Sequence, residues 1–338
     1  MKIIDDQDAD FNNPELEKYA EHKKMAVELN LGSRIAAIKA GDSLLQRKSL
    51  RVSSCGSFLT FDEYAHKESG ELMRSLHSAN FCKDRFCPMC QWRKSMQLVA
   101  ELHSIFTRID MSKYQLIFMT LTVKNPPMAE LRSTLKRLSD SFKLFTKYKE
   151  VKKVFKGFVR AVEFLGDRTK PGEAHPHYHL LVLVDKWYFT SKDYLSQKKW
   201  QELWARALAK NGLFCENFDV RKVTSRDPSK YWLEAVLETA KYTVKLSKVK
   251  ALPKEDFDNL YLQTKGIKQY YLGGLLREID PEETEIDPET WEFLRTVFYK
   301  WRAELGLYET VDIEVPKTAK ITSIADLKKF KNEFESKL

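Results

Sequence analysis

The segment His175-Pro176-His177-Tyr178-His179, running straight into Leu180-Leu181-Val182-Leu183-Val184, constrains this chain more than any other stretch. A run of large aliphatic residues of this length reads as a buried strand, with the histidines at its start. Successive side chains on a strand point to opposite faces, so His177 and His179 project the same way, about 7 Å apart along the backbone. Two imidazoles side by side on a rigid strand form a metal clamp. The bland alternative is one core histidine and two loop histidines. The clustering of three of the chain's seven histidines within five residues favours the clamp.

Two flanking segments extend this site. Phe158–Leu165 reads as a second strand, and Lys170-Pro171-Gly172 is a turn signal between it and the histidine strand. Pairing the two strands about Lys170 sets Glu163 opposite His177, on the face shared with His179. A slip of one residue would remove Glu163 from that face. Gln115–Val123 is a third strand: Ile117, Met119, Leu121 and Val123 share one side, Thr120 and Thr122 the other. Asn125-Pro126-Pro127 ends it.

The 338 residues are enough for two or three structural units, with a soluble composition of 43% hydrophobic and 31% charged residues. No apolar run approaches the roughly 20 residues of a membrane span, and Met1–Asp6 is no signal peptide, so a cytoplasmic protein is expected. The net charge is +9 and unevenly placed. From Arg132 to Arg160, both included, the basic residues are Lys136, Arg137, Lys143, Lys152, Lys153 and five others, opposed only by Asp140 and Glu150. Interleaved aromatics make this a phosphate-backbone contact surface or, equally, a solvated helical face with an aromatic core side.

The five cysteines are Cys55, Cys82, Cys87, Cys90 and Cys215. An odd number in an intracellular chain argues against a disulfide framework. Cys82, Cys87 and Cys90 form a zinc-knuckle pattern, with Cys55 as fourth ligand and His77 or His66 as substitutes; the zinc would be structural. The thioredoxin-like setting that a redox Cys-x-x-Cys needs is not evident.

Elsewhere the periodicity predicts helices near Asn13–Leu29 and Gly32–Leu45, over Trp92–Phe106, a long basic helix from 128 to about 149, and a helix over Tyr194–Lys210. Phe218–Val223 reads as a strand, and a short helix carries Trp291, Phe293 and Trp301. Ser229–Lys245 reads as a helix on which Glu238 and Tyr242, at i and i+4, are neighbours, with Lys245 on the same side. An aryl phosphate keeps the energy of a cleaved phosphodiester, so a tyrosine beside a metal-polarised phosphate suits reversible strand joining. A helix tyrosine that merely packs its ring is the alternative.

Taken in order, Phe118–Asn125, His175–His179 and Glu238–Lys245 resemble the three motifs of rolling-circle plasmid replication initiators, in the single-tyrosine branch of the HUH endonuclease superfamily with a paired glutamate. Cys82–Lys94 resembles the segment preceding the first motif. The resemblance implies an α+β fold: a central antiparallel sheet with the histidine strand in the middle, helices on one face, an N-terminal zinc-knuckle unit and a C-terminal helical extension. It implies an N-terminal region at 1–104, an endonuclease domain at 105–250 and an extension at 251–338 of unassigned role.

It further implies that Tyr242 would attack the plasmid's double-strand origin and hold the 5′-phosphate, and that Glu238 would serve as general base at termination. His177, His179 and Glu163 would bind a divalent metal, manganese or magnesium. His175, Thr120, Thr122, Asn125 and Lys245 would line the site. The partner would be origin DNA, as a single strand or hairpin, together with a host helicase and polymerase; no membrane is implied. Tyr231 is a rival nucleophile. The rival classes are a relaxase or single-stranded DNA transposase, a three-histidine metal hydrolase needing no tyrosine, and a non-enzymatic zinc protein that binds nucleic acid.

Overall fold

A computed structural model describes residues 14–167, 169–224, 231–241, 246–281 and 286–311. In chain order the helices are α1 (Pro14–Leu29), α2 (Leu31–Ala36), α3 (Ser43–Ser53), α4 (Pro88–Thr107), α5 (Leu131–Phe145), α6 (Lys149–Val154), α7 (Gln197–Ala209), α8 (Tyr231–Lys241), α9 (Leu246–Ala251), α10 (Lys254–Thr264) and α11 (Leu275–Glu278). The strands are β1 (Phe58–His66), β2 (Leu72–Ala79), β3 (Tyr114–Thr122), β4 (Gly157–Glu163), β5 (His177–Asp185), β6 (Phe218–Lys222), β7 (Tyr270–Gly274), β8 (Trp291–Arg302) and β9 (Leu307–Val311). Among the described residues no helix is long and apolar enough to cross a membrane.

The chain divides into two compact units. The smaller contains, of the described residues, 58–79 and 288–311. It is a four-stranded antiparallel sheet in the order β2-β1-β8-β9. Leu59, Phe61, Tyr299 and Tyr308 are buried, and the buried Glu63 carboxylate holds Arg74 at 2.6 Å and Arg295 at 2.7 Å. This unit corrects the expectation of a C-terminal helical extension with Trp291, Phe293 and Trp301 on a short helix. From Trp291 to Trp301 the odd positions are aromatic or apolar except for Arg295, a period of two. The segment therefore forms β8 and pairs with β1, far away in sequence.

In the larger unit a five-stranded antiparallel sheet runs β6-β3-β5-β4-β7. β5 is central, as expected, and every residue from His177 to Val184 is buried. The register sets Glu163 opposite His177, and Thr120 and Thr122 opposite His179 and His177. The face that carries the histidines continues with Leu181, Leu183, Phe118 and Val159, which pack against Leu102, Ile105 and Phe106 of α4 and Ala235 and Val236 of α8.

Helices cover both faces of this sheet, which corrects the expectation of helices on one face. On the other side Phe142 of α5 packs on Phe158 and Tyr178 at 5.4 and 5.6 Å between ring centroids. Trp204 of α7 donates its indole N–H to the Thr122 carbonyl at 3.0 Å. β5 is apolar in both alternating sets, so each face needs cover. The expected long basic helix breaks after Phe145, and Thr146, Lys147 and Tyr148 separate α5 from α6.

Candidate functional site

Two clusters of metal-ligating side chains are present among the described residues, both in the larger unit. The first is Glu163, His177 and His179. Glu163 is the last residue of β4 and His177 the first of β5, so both stand where the sheet opens. The next pair along sets Ala161 opposite His179, where its small side chain leaves room for the imidazoles. His177 Nε2 is 3.1 Å from His179 Nε2 and 3.3 Å from Glu163 Oε2, and His179 Nε2 is 3.6 Å from Glu163 Oε1. Ligands held at about 2.1 Å from one ion, at octahedral to tetrahedral angles, stand about 3.0–3.4 Å apart. The cluster therefore fits one divalent ion.

The protonation pattern fits as well. His177 Nδ1 lies 2.7 Å from the His175 carbonyl, which can only accept, so Nδ1 carries the proton and Nε2 presents its lone pair to the cluster. His179 Nδ1 faces Thr120 Oγ1 at 3.4 Å, which likewise turns Nε2 inward. Both carboxylate oxygens of Glu163 are buried without a well-formed hydrogen bond. Burial pushes this carboxyl up, but the facing His177 and His179 more than offset it and hold it down to about 2. A buried anion with unfilled lone pairs between two inward-turned imidazoles is a cation seat.

His175 does not join the cluster. Its Nδ1 donates to Asn125 Oδ1 at 2.6 Å, and Asn125 Nδ2 donates to Glu173 Oε2 at 3.2 Å. This chain fixes the residue whose carbonyl anchors His177, and Glu173 in it escaped the sequence reading because a loop carboxylate carries no periodic signal. Thr122 Oγ1 is tied to the backbone of Asn217. Thr122, Lys124, Asn125, Lys170, Glu173 and His175 line a cleft of about 630 Å³ beside the cluster.

The second cluster joins Cys55, Cys82, Cys87 and Cys90, as expected, whereas His66 and His77 belong to the smaller unit. The Sγ atoms of Cys55–Cys90, Cys82–Cys90 and Cys87–Cys55 are 3.6 Å apart. The edge of a tetrahedron with metal–sulfur bonds of about 2.3 Å is about 3.8 Å, so the four sulfurs fit one ion. Backbone N–H groups of Cys82, Lys83 and Asp84 donate to sulfurs at 3.2–3.4 Å, and Cys87 caps the N-terminus of α4. Both effects favour thiolates. The mutual hydrogen bonds of the four sulfurs push the Cys90 and Cys55 thiols down and the Cys82 and Cys87 thiols up.

The β1–β2 hairpin interrupts the chain between Cys55 and Cys82. Sequence reasoning also missed Lys23 of α1, which is 3% exposed. Its Nζ donates to the Cys55 carbonyl at 2.7 Å and to Ser57 Oγ at 3.3 Å, with no ion pair among the described residues.

Of the remaining candidates, Glu238 lies on α8, which packs on the face of the metal cluster: Trp232 stacks on Phe106 at 5.5 Å, and Val236 is fully buried. The side chains of Glu238 and Tyr231, and the whole of Tyr242 and Lys245, lie outside the described residues. Lys136 and Arg137 of α5, Lys143, and Lys152 and Lys153 of α6 stand on the helical layer behind the sheet. There Lys143 pairs with Asp140 at 3.0 Å and Lys153 with Asp193 at 2.6 Å.

An α+β fold with two sites shaped for metal ions is the class this architecture defines. A family model described as "Replication protein" (Rep_1) matches residues 73–304. "Protein rep" of Streptococcus pneumoniae serotype 2 (strain D39 / NCTC 7466) is 34% identical over 257 residues, covering 73% of this chain and 77% of the relative. "Protein rep" of a Bacillus species is 31% identical over 277 residues, covering 76% and 87%. "Protein rep" of Bacillus amyloliquefaciens is 32% identical over 269 residues, covering 74% and 77%. No solved structure matches. The chain belongs to the Replication protein family, Rep_1, which bears out its resemblance to rolling-circle plasmid replication initiators.

Proposed function

We propose that the chain is an HUH-type endonuclease that nicks the double-strand origin of a rolling-circle plasmid, with residues 105–250 as its catalytic core. The convergence of Glu163, His177 and His179 at the open end of β4 and β5 carries this reading. Manganese or magnesium bound there would polarise the scissile phosphate and offset its developing charge. Zinc at the four cysteines would be structural.

The strand-cleaving step belongs to Tyr242. Its phenolic oxygen bonds to phosphorus as the bond from phosphorus to the 3′ oxygen breaks; the phenol proton leaves, and the 3′ oxygen takes one up. A 5′-phosphotyrosine and a 3′-OH for a polymerase result. Glu238, four residues earlier, takes the proton of a water that cuts the regenerated site at termination. The packing of α8 on the metal-site face supports this pairing, because Glu238 lies on α8 and Tyr242 directly follows its last residue, Lys241, in the sequence. His175 and Asn125 orient His177 through the His175 carbonyl. Origin DNA is the substrate, and a host helicase and polymerase are the partners.

The test uses a single-stranded oligonucleotide with a candidate nick site, manganese, and the wild type beside Tyr242→Phe on a denaturing gel. A covalent adduct with the wild type alone is expected. No adduct across several origin sequences and metals would leave the endonuclease reading without support.

A further inference from the structure

Three cations meet at the β7 edge of the sheet and are not among the metal-ligating side chains described above. They are Arg85 in the cysteine loop, Lys94 in the second turn of α4, and Lys268 just before β7. Hydrogen bonds hold their backbones together. The Arg85 guanidinium donates to the Ile267 carbonyl, Gln91 Nε2 donates to the Arg85 carbonyl, and Gln269 Nε2 donates to Gln91 Oε1 at 2.8 Å. Lys94 lies three residues after Gln91, on the same side of α4, and Lys268 lies between Ile267 and Gln269.

Their location is fixed relative to the metal cluster. The Arg85 guanidinium sits over the ring of Phe164 at 5.1 Å, and Phe164 directly follows Glu163. Two residues after Lys268, Tyr270 pairs with Ala161, which pairs in turn with His179. Lys94 and Lys268 are exposed and Arg85 is half-buried. Among the described residues none of the three has an ion pair. Asp84, whose charge also acts on Arg85, is shared with Lys48 at 3.2 Å and Tyr261 at 2.9 Å. Burial and the like charges of Arg85 and Lys268 pull the Lys94 ammonium down. Three positive charges drawn together, with no ion pair of their own among the described residues, cost free energy that a bound polyanion would recover.

We infer that Arg85, Lys94 and Lys268 form the contact for phosphates of the DNA strand that carries the scissile bond. This rests on the proposed endonuclease reading. The basic residues of α5 and α6 lie behind the sheet, whereas Lys94 stands on α4, which packs on the metal-site face, Arg85 lies beside Phe164, and Lys268 closes the group at the β7 edge.

The experiment measures the full chain, without metal, binding a fluorescein-labelled single-stranded oligonucleotide by anisotropy between about 50 and 200 mM KCl. The double variant Lys94→Gln/Lys268→Gln changes only exposed side chains. Lys198→Gln/Lys199→Gln on α7, behind the sheet, removes the same charge. The first double variant is expected to bind on the order of tenfold more weakly, with the slope of log K against log[salt] reduced by about 1.4; the second should do neither. Unchanged affinity and slope in the first, or an equal loss in the second, overturns the contact. If the wild type forms no tyrosine adduct while the first variant still loses affinity, the endonuclease reading fails and the phosphate contact stands.

Discussion

Glu163 and His177 face each other as the terminal residues of neighbouring antiparallel strands, Oε2 to Nε2 at 3.3 Å, both buried. Among the described residues the carboxylate's further neighbour is His179 Nε2 at 3.6 Å, and the His177 imidazole is locked by the His175 carbonyl. The pair is therefore preorganised for a third, positively charged body.

Replacing Glu163 separates metal binding from folding. Glu163→Ala should weaken manganese binding by more than about tenfold in a calorimetric titration, since it removes a ligand outright. An unchanged affinity would move the metal elsewhere.

The metal-free protein should show a matching pH dependence. The Glu163 carboxyl is held at about 2, below its ordinary value of 4.5. A depressed carboxyl contributes stability that is present above the ordinary value and lost as pH falls through the folded one. The stability advantage of wild type over Glu163→Gln should thus be full near neutrality and shrink from about pH 4.5 downward. A constant advantage in urea melts across that range would contradict the assignment.

Gly166 tests the support behind His177. A Cβ there would stand 2.7 Å from Cδ2 of His175. Gly166→Ala should displace that ring, cost about 1–3 kcal/mol in thermal unfolding, and weaken manganese binding about tenfold through the anchored carbonyl. A variant with wild-type stability and affinity would show that the ring is free to move.

The cysteine cluster should hold one zinc per chain by elemental analysis. Cys90→Ser should lose it, and Lys23→Met should lower zinc affinity about 10–100-fold while raising hydrogen exchange in α1. The reason is charge: four thiolates around a divalent ion leave two negative charges, and Lys23 is the buried cation beside them. Full zinc affinity in Lys23→Met would reduce the lysine to a hydrogen-bond donor.

Tyr242 and Glu238 should separate cleavage from release. Tyr242→Phe should form no adduct, whereas Glu238→Ala should form the adduct but fail to release the strand by hydrolysis. Loss of nicking in Glu238→Ala would place that carboxylate in the cleavage step instead.

What the sequence determined by itself was local. The histidine strand and the pairing of Glu163 with His177 follow from its apolar run and a Lys-Pro-Gly turn centred between two strands, whereas the strand's central position came from the resemblance. The four cysteines were legible because Cys-x-x-Cys is a local signal, and Cys55 was the remaining candidate nearby. What the tertiary structure decided was non-local. The period of two in β8 was present in the sequence but was read as a helix; its partner β1, far away along the chain, was set only by folding. The amphipathic pattern of α5 shows that one side is buried, but nothing in it says which face of the sheet it covers; the crossover into β4 set that, and put the basic residues behind the metal cluster. Lys23 and the Arg85–Lys94–Lys268 group are invisible along the chain because charges interact through space, and only folding brings them together.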